Sequence, residues 1–370
     1  MTILARLRSR SARSTFWLPP AAGVLVVLAA CAHEPATVAG ATPPRSGPFG
    51  SLRDFVLFER AEGRGPSIFV DRFEVTRADW NEFAATDAGR AVDAGRALVA
   101  GDPALPVGSV DLRQARAFAT WRFARLPRGD EWAFVAVGDG RSPSLFPWGS
   151  KEDATRANTT ELCLGEPTPV GTFESGRRAG SDQPYDLVGN VSEWTESVPS
   201  DWFRWRPRDG SLDDAVRDDL DPAASCSRAR KLVLRTPALA VWQQAGGVVP
   251  LLFVVQAGGD LVPREVVGAD FNSSMTSLAQ SVPAGDRRTA TGLRVCASPR
   301  ELLHALATRA VQVREQDVEQ LRRFVQRGRH HAVLAAVWPA VKARLGGVDS
   351  SVARLLVELL EPADAANGGR

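Results

Sequence analysis

The spacing of apolar residues changes near residue 299. From there to residue 361, leucine, valine and alanine recur at i, i+3 and i+4, which predicts amphipathic α-helices. The predicted helices cover residues 300–310, 315–326, 332–345 and 350–360. Gly346 and Gly347 separate the last two, and Asp349 is a candidate N-cap for the final helix. We therefore expect a helical C-terminal region at 299–361, either a small bundle or helices packed on the rest of the protein, followed by a frayed tail at 362–370.

Residues 51–298 show a different pattern, with short β-like runs, scattered tryptophans and few long amphipathic stretches. Residues 68–81 predict a strand followed by the start of a helix, and residues 106–121 predict a strand end followed by an amphipathic helix. The residues expected on one face of that helix are Ala115, Phe118, Ala119 and Trp121. Arg125-Leu126-Pro127 followed by Glu131 predicts a strand end, a turn and a capped helix.

Residues 1–30 have the composition of an export signal. Four arginines precede an apolar run that ends in Leu28-Ala29-Ala30-Cys31, and its uninterrupted part, residues 21–30, is shorter than a transmembrane span of about 20 residues. The LAAC tetrad resembles the lipobox of bacterial lipoproteins. The resemblance implies a lipid attached at Cys31, with diacylglyceryl and palmitate-type acyl chains that hold the protein on a membrane. An ordinary cleaved signal peptide is the alternative. Ala32 after the cysteine favours the outer membrane of a Gram-negative cell.

Residues 31–50 are rich in proline, glycine, alanine and threonine, which is typical of a flexible tether.

Hydrophobic residues make up 44% of the chain and charged residues 24%, values that exclude a disordered or fibrous protein. Removal of the four arginines in residues 1–30 turns the formal charge of +2 into −2. A nucleic-acid partner is therefore not expected.

A series of motifs in the central region carries a family resemblance. Along the chain they are IFVDRFEVT (68–76), PVGSVDLRQARAFATW (106–121), RLPRGDEWA (125–133), FPWG (146–149), PVGTF (169–173), YDLVGNVSEWT (185–195), VVGADF (266–271) and GLRVC (292–296). In this order and spacing they resemble the formylglycine-generating, sulfatase-modifying-factor family over residues 51–298. The resemblance implies an α+β, complex C-type-lectin-like domain with little regular secondary structure, to which the helical C-terminal region is added.

Most of these motif residues have a structural interpretation. Trp132, Trp148 and Trp194 are expected to bury large surfaces and to use the indole N–H as a fixed hydrogen-bond donor. Gly149 and Gly189 are expected where the backbone turns left-handed. The fold alone therefore implies no particular chemistry.

The family's copper-dependent oxidase activity uses two cysteines, and the resemblance places them within residues 272–283. This stretch reads NSSMTSLAQSVP and has no cysteine, and Ser192 stands where the family has a pocket-lining tryptophan. Thiolates are the soft ligands that Cu(I) needs, and Met275 alone is a poor substitute. We therefore expect no copper and no aldehyde-forming activity.

A second catalytic branch of the family resembles the iron-dependent sulfoxide synthases. These enzymes need a histidine-rich helical motif. The four histidines here are His33, His304, His330 and His331. The adjacent pair would point about 100° apart on a helix and could not chelate one ion together. We expect that pair to be exposed, and we expect no iron.

The resemblance does imply a calcium site. In this sequence the matching ligands are Asp186, the carbonyls of Gly189 and Val191, and Glu193, and a second family site would begin at Asn158. Clustered oxygen donors suit calcium. The alternative is that Asp186 and Glu193 only hydrogen-bond to the turn.

Two further segments are open to interpretation. The run DGSLDDAVRDDLD at 209–221 lacks the EF-hand pattern and is expected to be a solvated acidic loop. The segment WFRWR at 202–206 is either an exposed aromatic platform for a ligand or a packing corner.

These observations predict a cell-envelope lipoprotein, anchored to the membrane, whose non-catalytic domain binds a protein, peptide or glycan. One alternative is a metal-dependent oxidoreductase of the same family with a re-purposed pocket. Another is that the helical C-terminal region docks the partner. Beyond Cys31, the remaining cysteines are Cys163, Cys226 and Cys296, of which we expect Cys296 to be buried.

Overall fold

The fold is described from a computed structural model. It describes residues 47–60, 66–97, 101–138, 144–180, 182–197, 241–244, 247–250, 264–282, 284–309, 313–347 and 350–361. Cys31, Cys226 and the segments 202–206 and 209–221 lie outside the described residues. The lipid-anchor, acidic-loop and aromatic-platform hypotheses therefore stay predictions.

Short strands form small sheets. The strands are β1 (Phe55–Phe58), β2 (Ile68–Asp71), β3 (Ser192–Trp194), β4 (Val241–Gln244), β5 (Gly247–Pro250), β6 (Arg264–Val267), β7 (Ala279–Val282), β8 (Thr291–Gly292) and β9 (Cys296–Ala297). One antiparallel sheet has the order β1-β2-β9, and another sheet has the order β7-β6-β3-β8. Strands β3 and β8 are parallel, so residues 192–193 run beside residues 291–292. Strands β4 and β5 form a separate antiparallel hairpin.

One short helix precedes the strands in the chain, four helices lie between β2 and β3, and four follow β9. They are α1 (Gly47–Gly50), α2 (Arg77–Ala84), α3 (Asp87–Ala91), α4 (Leu112–Trp121), α5 (Gly129–Val137), α6 (Pro299–Arg309), α7 (Glu315–Gln326), α8 (His330–Leu345) and α9 (Ser351–Leu360). The last four confirm the helices predicted from apolar spacing, with α8 starting two residues before the predicted position. Ala115, Phe118 and Ala119 are buried on α4 and Trp121 is partly buried, as its pattern predicted.

Capping residues fix where several helices begin. Thr76 accepts the backbone N–H of Asp79 at 3.2 Å, and the Asp79 carboxylate accepts the N–H of Thr76 at 3.1 Å, so α2 starts at a capping box. The Glu131 carboxylate accepts the N–H of Arg128 at 2.9 Å, which confirms the predicted capped helix at α5. The N-cap of α9 is Ser350, not Asp349. Ser350 has the extended backbone conformation that an N-cap requires.

The C-terminal helices share one apolar core with the central region. Phe55 and Phe69 from the first sheet lie in the same cluster as Phe324 of α7 and Trp338 of α8, and all four are buried. The ring centroids of Phe69 and Phe324 are 5.2 Å apart. At the other end of the described chain, Phe49 of α1 is buried and packs on Phe123 at 5.1 Å. Residues 47–50 of the predicted tether are therefore part of the packed structure.

Arg327 and His330 complete this contact, which we call the helical junction (Phe55, Phe69, Phe324, Arg327 and His330). Arg327 donates to the carbonyl of Arg53 at 2.7 Å and to the carboxylate of Asp182 at 2.8 Å. The prediction that His330 is exposed is wrong: its ring is buried against Phe69 and Phe324. The adjacent His331 is exposed. Because the two side chains diverge on α8, one faces the core and the other faces solvent.

The predicted indole hydrogen bonds are present at all three tryptophans, while Trp132 and Trp194 are buried and Trp148 is only partly buried. The indole N–H of Trp132 donates to Glu193 at 3.1 Å, that of Trp148 to the Lys151 carbonyl at 2.9 Å, and that of Trp194 to the Val110 carbonyl at 2.7 Å. Trp194 joins β3 to the start of α4 in this way. Helices, small sheets and long loops anchored by aromatic side chains together make an α+β fold.

Candidate functional site

Four of the predicted site residues lie in the loop that leads into β3 (Asp186, Gly189 and Val191) and in β3 itself (Glu193). The backbone of the loop turns left-handed at Asp186, Gly189 and Asn190, with φ of 53°, 83° and 66°. A Cβ at Gly189 would lie 2.5 Å from the carbonyl oxygen of Asn158, so only glycine fits there. That carbonyl accepts the N–H of Asn190 at 2.8 Å. The fold therefore brings Asn158, the fifth predicted residue, against the same loop.

Glu193 is held inside the protein by nitrogen donors. Its Oε1 accepts the Nε–H of Arg294 at 2.9 Å and lies 2.7 Å from a terminal nitrogen of the same guanidinium, with which it forms an ion pair. Its Oε2 accepts the indole N–H of Trp132 at 3.1 Å. Arg294 also donates to the carbonyls of Asp71 at 2.9 Å and Tyr185 at 2.7 Å. Both side chains of this ion pair are buried, at 0% and 1% exposed.

Asp186 and Glu74 bring further carboxylates to the same place. Asp186 accepts the N–H of Gly171 at 2.7 Å, and Glu74 accepts the N–H of Val191 at 3.0 Å and the Asn190 amide at 2.7 Å. Burial raises the pKa of Asp186 to about 6. Burial first, and then the neighbouring carboxylates Asp186 and Glu193, raise the pKa of Glu74 well above its ordinary value.

Arg122 and Asp71 form a second buried ion pair. Arg122 donates to the carboxylate of Asp71 at 2.9 Å, and neither side chain is more than 1% exposed. The buried charged cluster consists of Asp71, Glu74, Asp186, Glu193, Arg122 and Arg294. Sequence reasoning missed Glu74, Asp71 and the two arginines as members. The available signal was a charged residue inside an otherwise apolar run, in FEVT and in GLRVC.

Asn158 has one amide atom satisfied and the other not. Its Nδ2 donates to the carbonyl of Glu166 at 2.8 Å, which fixes the orientation of the amide. Its Oδ1 is buried and accepts no hydrogen bond from any residue that the structure describes. A buried acceptor without a donor is uncommon, because an unmade hydrogen bond costs about 1–3 kcal/mol.

Comparison with known protein families matches residues 59–298 to the sulfatase-modifying factor enzyme 1-like domain. The chain belongs to this family. The motifs at 68–76, 185–195 and 292–296 lie within the match, and they supply every member of the buried charged cluster except Arg122. The resemblance found in the motif series is therefore confirmed.

Relatives within the family differ in activity. An inactive Cα-formylglycine-generating enzyme 2 of Bos taurus is 38% identical over 102 residues, which cover 25% of this chain and 33% of the relative. A hercynine oxygenase of Mycolicibacterium smegmatis is 29% identical over 175 residues, which cover 38% of this chain and 40% of the relative. The chain thus spans two fifths or less of the length of these relatives.

Solved structures match over a larger part of the chain than these relatives do. PvdO from Pseudomonas aeruginosa is 18% identical, with a TM-score of 0.39, and the match covers 66% of this chain and 92% of that protein. The variable protein 1 of Treponema denticola is 14% identical, with a TM-score of 0.37 and coverage of 66% and 93%.

In the segment where the resemblance places the family's two cysteines, Met275 and Val282 are buried and the other described residues are half-buried or exposed. Met275 is buried in a small apolar cluster with Phe146 and Val188. Ser192, in the place of the pocket-lining tryptophan, is buried and lies 3.1 Å from the Thr291 hydroxyl. A hydroxyl held between β3 and β8 can join the two strands, but it has neither the ring of a tryptophan nor the thiol of a cysteine.

The described cysteines lie elsewhere. Cys296 is buried in β9, as predicted, and burial raises the pKa of its thiol above the ordinary value. Its Sγ lies 3.2 Å from Arg125. Cys163 is exposed in the loop after Asn158, and both thiols are free. A buried thiol with a raised pKa is a poor nucleophile.

The predicted calcium ligands fit the ion unequally. Asn158 fits, because its Oδ1 is a buried oxygen donor with no described partner. Glu193 does not fit, because both of its oxygens accept hydrogen bonds and a guanidinium already balances its charge. One carboxylate oxygen of Asp186 accepts the backbone N–H of Gly171. Among the described residues, no group of three or more histidine, cysteine, aspartate or glutamate side chains could hold a metal ion.

Proposed function

We propose that this protein is a lipid-anchored component of the cell envelope whose sulfatase-modifying-factor-like domain binds a partner and does not perform the family's oxidase reaction. The partner is a protein, a peptide or a glycan of the envelope. The observation that carries the proposal is the composition of residues 272–283, which have no cysteine where the family has two. Without the thiolate pair, the chain has no soft ligands for Cu(I) at that position and no thiol to engage a substrate cysteine.

The packing of the same segment supports the proposal. Met275 is 1% exposed, so its thioether faces the apolar cluster and not the solvent. Glu161 accepts the N–H of Met275 at 3.2 Å and also the Ser274 hydroxyl, which ties the loop of Cys163 to this segment. These contacts are typical of a structural scaffold on which surface loops meet a partner.

The cellular address comes from the N-terminal residues. Arginines, a short apolar run and Cys31 in the LAAC tetrad support export followed by lipid attachment, in the outer membrane of a Gram-negative cell. Within the described ranges, no helix is long and apolar enough to span a bilayer.

Calcium is the metal that the domain would hold. The ligands would be Oδ1 of Asn158, the carbonyls of Gly189 and Val191, and Asp186, without Glu193. Bound there, calcium would join the loop of Asn158 to the loop before β3 and would stiffen the scaffold without taking part in a reaction. The unpartnered Oδ1 of Asn158 supports this ligand set.

Metal analysis of the membrane-extracted full chain, purified without chelators, tests the binding function against the oxidoreductase alternative. We expect less than one tenth of an equivalent of copper and iron, and no aldehyde on a peptide that carries the family's substrate cysteine. A stoichiometric redox metal together with turnover would favour the alternative, which the similarity to hercynine oxygenases supports.

A second experiment tests the lipid anchor. Replacing Cys31 by serine should release the protein from the membrane fraction. Cys163→Ser is the matched control, since that thiol is exposed and lies outside the lipobox-like tetrad.

A further inference from the structure

Arg294 lies at the centre of the oxygen donors that surround the loop before β3. Its side chain is 0% exposed. Its guanidinium contacts one carboxylate, that of Glu193, and two backbone carbonyls, those of Asp71 and Tyr185, at 2.7–2.9 Å. The carboxylates of Asp186 and Glu74 also lie close enough to stabilise its charge.

One carboxylate, several carbonyls and nearby acids are the donor set that a calcium ion takes in proteins. Here a guanidinium occupies the position among those donors. A planar group with five N–H donors can satisfy such oxygens from one side chain. A divalent ion bound to Glu193 would lie next to this fixed positive charge, in an interior where charges are poorly screened.

We infer that Arg294 is the permanent internal cation of the β3 loop, so that Glu193 holds a guanidinium where the family resemblance implies calcium. The inference goes beyond the proposed function and stands whether or not calcium binds at Asn158. It assigns Arg294 as the cation at the Glu193 end of the predicted metal site, and the Asn158 end is the one that the proposed calcium ion would take.

Calcium titration of the chelator-treated full chain, with stoichiometry measured by calorimetry, tests the inference. Glu193→Gln removes the carboxylate charge but keeps the shape, and we expect it to bind as many calcium ions as the wild type. Loss of one calcium ion per chain in Glu193→Gln, with Arg294 intact, would overturn the inference.

Arg294→Gln provides the complementary measurement. Without the guanidinium, Glu193 and Glu74 lose the cation beside them, so we expect this variant to bind one calcium ion more per chain than the wild type and to melt at a higher temperature with calcium than with chelator. Arg294→Lys keeps the charge and should gain no ion. A folded Arg294→Gln protein with unchanged stoichiometry would contradict the inference. If Arg294→Gln does not fold without calcium, the Glu193→Gln titration still decides.

The two proposals fail separately. Asn158→Ala should lose the calcium that the wild type binds. If the wild type binds none, the calcium proposal is wrong, while the gain expected in Arg294→Gln still tests the role of Arg294.

Discussion

The helical junction and the buried charged cluster stabilise the same fold by different physical means. At the junction, apolar rings of β1, β2 and α7 pack together, and Arg327 supplies hydrogen bonds at the edge. In the cluster, charges meet in the interior, and Arg122, Arg294 and four carboxylates are all under 7% exposed. At the junction, the contribution of a side chain to the free energy of unfolding scales with its buried apolar area, so a smaller side chain should lower stability in proportion to the area lost. A cluster contact fails abruptly, because removing one partner leaves the other charged and buried.

The largest effect should come from deleting the helical region. Ending the chain at residue 298 exposes Phe55 and Phe69 and removes the buried side chains of Leu302, Leu303, Phe324, Leu334, Trp338 and Leu356. Each fully buried side chain of this kind contributes about 1.5–3 kcal/mol, and whole domains are stable by only about 5–15 kcal/mol. We expect the truncated chain not to fold, as measured by circular dichroism and limited proteolysis.

A matched control ends the chain at residue 361 and should melt like the full chain. Cooperative melting of the 1–298 fragment near the wild-type temperature would show that the junction is dispensable.

The hypothesis that the helical region docks a partner has to be tested by substitutions of exposed residues, because truncation is expected to unfold the protein. Charge reversals at Glu319 and Arg323, which pair on the outer face of α7, suit that purpose.

The second prediction concerns the charged cluster. Arg122→Met leaves the buried Asp71 carboxylate without the Arg122 guanidinium, so we expect unfolding in urea to show a loss of about 3–5 kcal/mol. Restoring neutrality with Asp71→Asn in the same chain should recover part of that loss. Arg90→Ala breaks an exposed pair with Asp87 and should change stability by less than about 1 kcal/mol. An equal loss in Arg122→Met and Arg90→Ala would remove the distinction between buried and exposed pairs.

The third prediction uses pH to separate the two regions. The pKa of Asp186 is raised to about 6 from 3.8, so the folded state binds its proton more tightly than the unfolded state does. Stability from this group is present below about pH 4 and is lost as pH rises to about 6. Burial lowers the pKa of His330 below 6.5, so its contribution is present above pH 6.5 and is lost as pH falls.

Urea unfolding between pH 4 and 8, with chelator present, measures both effects. Relative to the wild type, Asp186→Asn should become more stable as pH rises through 4–6. His330→Asn should become relatively more stable as pH falls below 6.5. Profiles parallel to the wild type in both variants would mean that neither group changes its proton affinity on folding.

The sequence predicts local features of both regions but few of their long-range contacts. The spacing of leucines is enough to place α6 to α9, because helix periodicity is a local property. The burial of His330 escaped prediction because its partner Phe69 lies on β2, far away in the chain. The loop before β3 shows the same limit: its motif locates it in the sequence, but the guanidinium that contacts Glu193 belongs to Arg294, 101 residues away.

The smallest expected effect comes from single helix caps, one in each region. Ser350 caps α9 by accepting the N–H of Ala353 at 3.0 Å, and its hydroxyl donates to the Ala307 carbonyl of α6 at 2.8 Å. Thr76 caps α2 in the central region. Alanine at either position should cost about 1 kcal/mol in urea unfolding. Because Ser350 also joins two helices, its loss should be the larger, and Ser350→Thr should restore part of it. If Thr76→Ala costs clearly more than Ser350→Ala, the link between α6 and α9 adds nothing to the cap.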